Sequence, residues 1–326
     1  MSLNYLFVIP DYDSFISGGN HYNKNFIEAL GNLGNVQTVP WENFRLTRYP
    51  NTFVVIDSIY IDMLEPDNIL LNTNCILLLH YLDIFYDEKH NEPLKRKRLK
   101  QILAFKYIIV TGQFAFDWLQ LTGVKKENIF LLTPMIQIQG SKMHRNHNST
   151  WRILMVGNLL PVKGYLELLA ELEIQKPADI KITIIGDKNI DTEYAASIMQ
   201  LIEEKPYLKK VCSIGETIPH ETMCTYFEEN DLMISASNFE TFGMAIHEAL
   251  SYGLPVLAIS GGNVANINHP LLNTFKSHKE IVSALANLKG FEKKPDTLTN
   301  RKFTENRSWA ELANHFYSHT AGKNIN

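Results

Sequence analysis

The chain has 326 residues, of which 45% are hydrophobic and 20% charged, with a formal net charge of -4. That length suits two domains better than one, and the composition is globular, which excludes wholesale disorder, a membrane bundle and a low-complexity scaffold. The mild acidity argues against a dedicated nucleic-acid binder.

The first elements in chain order are short runs rich in Val, Ile and Leu, at 6–9, 53–56, 75–79, 107–110 and 129–132. They read as strands buried on both faces. Helical patterns such as Phe26, Ala29, Leu30 and Leu33 lie between them, so strand alternates with helix as in a doubly wound α/β layer structure. A polar interval at 140–150 predicts a linker. Beyond it a second α/β unit is expected, with strands at 152–156, 180–185, 231–235 and 255–259. Near the end, Ser308-Trp309-Ala310-Glu311 spells a capping box, and Trp309, Leu312 and Phe316 form an apolar stripe on one helix.

Three cysteines, Cys75, Cys212 and Cys224, have no C-x-x-C spacing. A disulfide framework and a four-ligand zinc site are therefore excluded, and a reducing, cytoplasmic setting is expected. Residues 5–9 are too short an apolar run for a secretory signal. No apolar stretch approaches the roughly 18 residues of a membrane-spanning helix.

The most informative stretch runs from Ser237 to Val256. It leaves a strand, passes Gly243, becomes helical, stops at Gly253 and re-enters a strand after Pro255. In an open α/β sheet such a loop sits at the carboxyl edge, where a helix amino terminus favours an anion such as a diphosphate. Glu240 lies on the loop and Glu248 more than one turn into the helix. The two carboxylates thus reach different parts of one extended ligand, and each can accept hydrogen bonds from a vicinal diol. A nucleotide sugar offers such hydroxyls at both ends of a diphosphate.

The pattern S-x-x-E-x-F-G-x-x-x-x-E-A-L-x-x-G-x-P-V closely resembles the signature of retaining glycosyltransferase family 4, a GT-B family. Val156-Gly157-Asn158-Leu159-Leu160-Pro161-Val162-Lys163-Gly164 is similar to that family's strand, glycine and basic loop. The resemblance implies two Rossmann-like doubly wound domains facing a central cleft: residues 1–149 on the acceptor side, 150–304 holding the nucleotide sugar, and 305–326 as a helix returning to the first domain.

It also implies roles for individual residues. Glu240 is expected at the donor sugar and Glu248 at the ribose, with Thr241, Phe242 and Gly243 approaching sugar and phosphates through their backbone. Lys163 matches the lysine that neutralises the diphosphate leaving group. Asn158 stands where the family carries an arginine, replacing a bidentate charged contact with neutral hydrogen bonds. Gly18 and Gly19, after Ser17, look like the double-glycine loop after the first strand. His80, closing the run 75–79, resembles the first domain's histidine near the donor sugar. Backbone near Ile214 and Gly215 is expected at the base.

The implied reaction is metal-independent, retaining hexosyl transfer from a nucleoside diphosphate sugar, UDP-sugar favoured, to a glycan or lipid-linked acceptor in polysaccharide or glycoconjugate biosynthesis, with no cofactor. Asn158 motivates an alternative, a non-catalytic nucleotide-sugar-binding partner subunit. A sugar-nucleotide epimerase of the same architecture is a second. The basic run Lys95, Arg96, Lys97, Arg98 and Lys100 predicts a solvated helix face or, for a lipid-linked acceptor, peripheral contact with the inner face of the membrane. Asp11-Tyr12-Asp13 spells D-x-D by chance, and His144 and His147 have no partnering acidic or cysteine cluster.

Overall fold

The computed structural model describes residues 2–11, 17–45, 49–70, 74–80, 83–85, 92–136, 150–291 and 308–322. They group into two compact units, Met1–Met135 with Asn306–Asn326, and Ile136–Glu305. Tyr12, Asp13, His144, His147 and the expected linker, except Thr150, lie outside the described residues.

In the first unit β1 (Asn4–Val8), β2 (Asn35–Val39), β3 (Phe53–Asp57), β4 (Cys75–Leu79), β5 (Tyr107–Val110) and β6 (Ile129–Leu131) form one parallel sheet in the order β2-β1-β3-β4-β5-β6. Its helices are α1 (Gly18–Gly31), α2 (Pro66–Leu70), α3 (Glu92–Ala104) and α4 (Gln113–Leu121). Strand β4 is buried at every residue because helices cover both faces. On one face Phe7, Val55 and Leu78 meet Phe26 of α1 and Leu312, Ala313 and Phe316 of the C-terminal helix, Trp309–Ala321. On the other, Ile56 and Leu77 meet Ile102 of α3 and Leu119 of α4.

The C-terminal helix starts with a complete capping box. Ser308 Oγ accepts from the Glu311 amide at 3.1 Å, and Glu311 Oε2 accepts from the Ser308 amide at 2.7 Å, satisfying two amides the helix itself cannot. Phe316 then packs edge-on against Phe26 and Phe130, with centroids 5.6 and 5.5 Å away.

The second unit repeats the plan. Strands β7 (Trp151–Val156), β8 (Ile180–Ile185), β9 (Cys212–Ile214), β10 (Leu232–Ser235), β11 (Val256–Ile259) and β12 (Leu272–Phe275) are parallel, in the order β12-β11-β10-β7-β8-β9. Helices α5 (Tyr165–Gln175), α6 (Thr192–Glu204), α7 (Pro206–Val211) and α10 (His278–Ala284) cover one face, and α8 (Met223–Glu229) and α9 (Met244–Ser251) the other.

Both strand orders reverse direction once, between β1 and β3 in the first sheet and between β7 and β10 in the second. At such a reversal the chain leaves neighbouring strands toward opposite faces, which opens a crevice at their carboxyl ends. Three strands, β2, β9 and β12, fall outside the sequence-predicted set. β2 and β9 are the outermost strands on one side of their sheets, and β12 is outermost in the second sheet. They are short and partly exposed, without the apolar run that marks a central strand.

Candidate active site

The loop after β7 is built around glycines. Gly157 lies so close to the next loop that a Cβ on Gly186 would stand 1.9 Å from its carbonyl oxygen. Leu159 N–H donates to Asp187 O at 3.0 Å, and Asp187 N–H donates to Asn158 Oδ1 at 3.1 Å. The side-chain oxygen of Asn158 is thus engaged by protein backbone. Tyr165, buried so that its phenol is pushed well above the usual range, donates to Gly157 O at 2.5 Å. A short turn, Pro161–Lys163, follows, and Gly164 closes it at φ 66°. A Cβ there would lie 2.2 Å from Ala236 O, so only glycine lets this turn press against the loop after β10.

That second loop is tied back. Asn238 N–H donates to Val162 O at 2.8 Å, and Ser237 Oγ donates to Phe239 O at 2.9 Å. From the far side, Asn263 N–H donates to Glu240 O at 2.8 Å, while Gly261 and Gly262 offer no Cβ to strike the loop backbone, where gaps of 2.0 and 2.4 Å would result. The outcome is a contact that sequence spacing cannot announce: Lys163 Nζ lies 2.7 Å from Glu240 Oε1. Both side chains are largely withdrawn from water, at 25% and 16% exposure. The pair stands at the reversal between β7 and β10.

Thr241 and Phe242 lead to Gly243, which caps α9 at φ 88°. The first-turn amides of α9 have no acceptor within the helix. Phe242 stacks on His247 at 4.1 Å, and His247 Nδ1 donates to Gly243 O at 2.9 Å, which braces the turn. Burial pushes the His247 imidazolium down to about 4, so the ring is neutral near pH 7. Glu248, a turn further on, meets His220 Nε2 at 2.8 Å, and this hydrogen bond raises the His220 pKa above its ordinary value. The helix stops as its sequence predicts, with Gly253 at φ 64° and its amide donating to Leu250 O. Gly215 follows β9 and spends its own amide on Ile184 O at 2.8 Å.

The other expected residues belong to the first unit and form a group of their own. Gly18 and Gly19 are not in a loop ahead of the helix; they are the first residues of α1, with Ser17 Oγ accepting from the Asn20 amide at 3.0 Å. The helix begins this early because Ser17 supplies the cap. Gly19 packs on the His80 ring, where a Cβ would sit 3.5 Å from Cδ2. His80 Nε2 lies 2.8 Å from Asn23 Oδ1 and its ring meets Tyr22 edge-on at 5.2 Å.

Of the basic run, Arg98 turns inward to pair with Asp62 at 2.6 Å, which lowers the Asp62 pKa. Arg96, Lys97 and Lys100 are exposed on α3, where Arg96 and Lys100 share a face with Leu103. Among the described residues no group of three or more His, Cys, Asp or Glu side chains is gathered to hold a metal ion, and no helix is long and apolar enough to cross a membrane.

His220 and His247 were not singled out by sequence reasoning, whereas the turn Gly261-Gly262-Asn263 after β11 reads as one that could enclose a donor. His247 lies inside the signature, but its bracing of the Gly243 turn, through Phe242 and Gly243 O, is a matter of packing. His220 is 28 residues from Glu248 in a loop without a pattern.

The pattern defining the glycosyl transferases group 1 family matches residues 141–303, half of the chain, and contains both loops. The chain belongs to that family. The chain is also similar to an uncharacterised 41.2 kDa protein in the cps region of Klebsiella pneumoniae, 28% identical over 169 residues. That match takes in 49% of this chain and 43% of the relative, so the chain spans less than half the length of the curated protein it matches. Among solved structures, sucrose-phosphate synthase from Thermosynechococcus elongatus is similar with a TM-score of 0.67 at 17% identity, over 98% of this chain and 96% of that one. HepE of Anabaena, solved with UDP and glucose, gives 0.64 at 14% identity, over 98% and 96%. The fold is that of the GT-B glycosyltransferases.

Proposed function

We propose that this group 1 glycosyltransferase moves a hexose from a nucleoside diphosphate sugar to an acceptor hydroxyl with retention at the anomeric carbon. The observation that carries the reading is the Lys163–Glu240 contact of 2.7 Å at the strand-order reversal, next to the Gly243 entrance of α9. Departure of the diphosphate concentrates negative charge on its oxygens and positive character on the sugar ring. Fixed donors aimed at those oxygens stabilise the separated charges more than the ground state. Lys163 and the first-turn amides of α9 supply them without a metal or cofactor. Glu240 orients the hexose, Glu248 takes the ribose hydroxyls, and backbone near Gly215 meets the base. Asn158, fixed by the Asp187 amide, shapes the phosphate loop. Within the first unit, His80, with Gly18 and Gly19, is assigned a sugar-binding role. The acceptor attacks the face the diphosphate leaves, and a leaving oxygen takes its proton.

UDP as the nucleotide is supported by HepE, solved with UDP and glucose. A glycan or lipid-linked acceptor in polysaccharide biosynthesis is supported by the relative in a cps region. The exposed Arg96 and Lys100 on one face with Leu103, and the exposed Lys97, support peripheral contact with an anionic membrane. The division of labour follows the two units: acceptor side on 1–149, donor on 150–304, with 305–326 packed on the former.

The test incubates the protein with UDP-, GDP- and ADP-hexoses and glycan or lipid-linked acceptors, reading product anomers by NMR with and without chelator. A product of retained configuration, formed with chelator present, is expected. No association with any of these donors, or activity lost on chelation and restored by manganese, overturns the reading. Binding without turnover identifies a silent binding subunit, and conversion of the donor without acceptor identifies an epimerase.

A further inference from the structure

At the strand-order reversal of the first sheet, two buried polar residues behind His80 have no part in the reaction proposed above. Asn23 on α1 is fully buried and Asp57, at the end of β3, is 6% exposed. Asp57 Oδ1 accepts from the Ile59 amide at 3.0 Å and Oδ2 accepts from Asn23 Nδ2 at 3.1 Å. Asn23 Oδ1 then faces His80 Nε2 at 2.8 Å. The His80 amide donates to Ser58 Oγ at 3.1 Å, which anchors the residue from the backbone side.

The direction of every proton follows. A carboxylate only accepts, so the amide nitrogen of Asn23 must face Asp57; the flipped amide would set oxygen against oxygen. The amide oxygen therefore faces His80, and because it too only accepts, Nε2 must carry the hydrogen. Burial lowers the His80 pKa and the Asp57 charge partly opposes that, so the ring holds a single proton near neutral pH. Of the groups packed around it, Asp57 is charged, Tyr22 is a buried phenol held un-ionised, and Asn23 and Gly19 are neutral. Among the described residues no hydrogen bond engages Nδ1.

We infer that Asn23 and Asp57 are positioning residues that hold His80 in its Nε2–H form and present Nδ1 as a hydrogen-bond acceptor. The ligand for that nitrogen is a hydroxyl of the sugar or acceptor, which donates to His80; a group that can only accept is rejected there. This consequence rests on the reading of His80 as facing the sugar, whereas the tautomer does not.

Long-range ¹H–¹⁵N NMR of histidine-labelled protein, with His80 assigned through His80→Gln, tests the tautomer without substrate. A single Nε2–H form at pH 7.5 is expected in the wild type, and mixed tautomers in Asn23→Ala. Asp57→Asn retains an acceptor for Asn23 but loses the charge, so His80 is expected to titrate at lower pH, and the acidic limb of kcat/KM to move down with it. An Nδ1–H form in the wild type overturns the inference even if transfer is observed. An acidic limb unmoved in Asp57→Asn while the His80 titration shifts overturns the hydroxyl-accepting role. Failure of all donors to react leaves the tautomer result to stand by itself, which separates the two readings.

Discussion

Lys163 and Glu240 pair across 2.7 Å, so under the proposed function an incoming diphosphate would compete with the carboxylate for the ammonium. Lys163→Ala is expected to weaken UDP binding about tenfold or more, the scale of a charge-assisted contact. Glu240→Gln removes the competitor, so it is expected to tighten UDP several-fold in calorimetry while lowering turnover. Weaker UDP binding in Glu240→Gln contradicts the assignment. The histidines carry a second prediction. His247 is depressed to about 4 in the folded chain, so its contribution to stability is complete above the unfolded pKa of about 6.5 and is lost as pH falls toward 4, roughly 3 kcal/mol in all. Denaturant unfolding at pH 7 and pH 4.5 is expected to show this loss, and His247→Phe to be free of most of it. His220 is shifted the other way: its contribution holds below about pH 6.5 and fades as pH rises through its raised pKa. An NMR titration is expected to find His220 above and His247 below the ordinary value. Of these residues, Lys163, Glu240 and Glu248 were legible because each sits in a contiguous pattern. His220, Asn23 and Asp57 were not, because their partners lie 28 to 57 residues away.

Between elements, Gly164 does more than cap a turn. Its positive φ and the 2.2 Å that would separate a Cβ from Ala236 O mean that Gly164→Ala must move one of the two loops. A destabilisation of about 2 kcal/mol or more is expected, with UDP affinity falling further than stability because Lys163 and Glu240 are displaced together. A variant that melts earlier but binds UDP normally would break the link between turn and site. Helix α3 has its own test: Arg96→Glu with Lys100→Glu is expected to abolish sedimentation with anionic vesicles while leaving Arg98–Asp62 and the fold intact. Central strands and the caps at Ser308 and Gly253 were readable because continuous apolar runs and capping residues are local signals. The outer strands β2 and β12 were not: half exposed, they lack a continuous apolar run, and their pairing with β1 and β11 is a long-range event.

At the scale of the whole molecule, the chain completes its first unit with its last helix. Phe316 is fully buried among residues from β1, α1 and β6, so Phe316→Ala is expected to cost about 3–5 kcal/mol. Because the proposed nucleotide site lies in the other unit, UDP affinity per folded molecule is expected to stay within about twofold. A large loss of affinity in folded Phe316→Ala would tie the two units more closely than this division allows. The amino-acid order by itself determined the α/β class, the central strands, the caps and the two-glutamate signature, since propensity, burial period and capping act over a few neighbouring residues. Only the tertiary structure decided that Lys163 pairs with Glu240, that Asn158 is held by the Asp187 amide and that Asn23 and Asp57 orient His80. Those contacts arise where strand order reverses and separate loops converge, and convergence depends on the packing of whole sheets rather than on spacing along the chain.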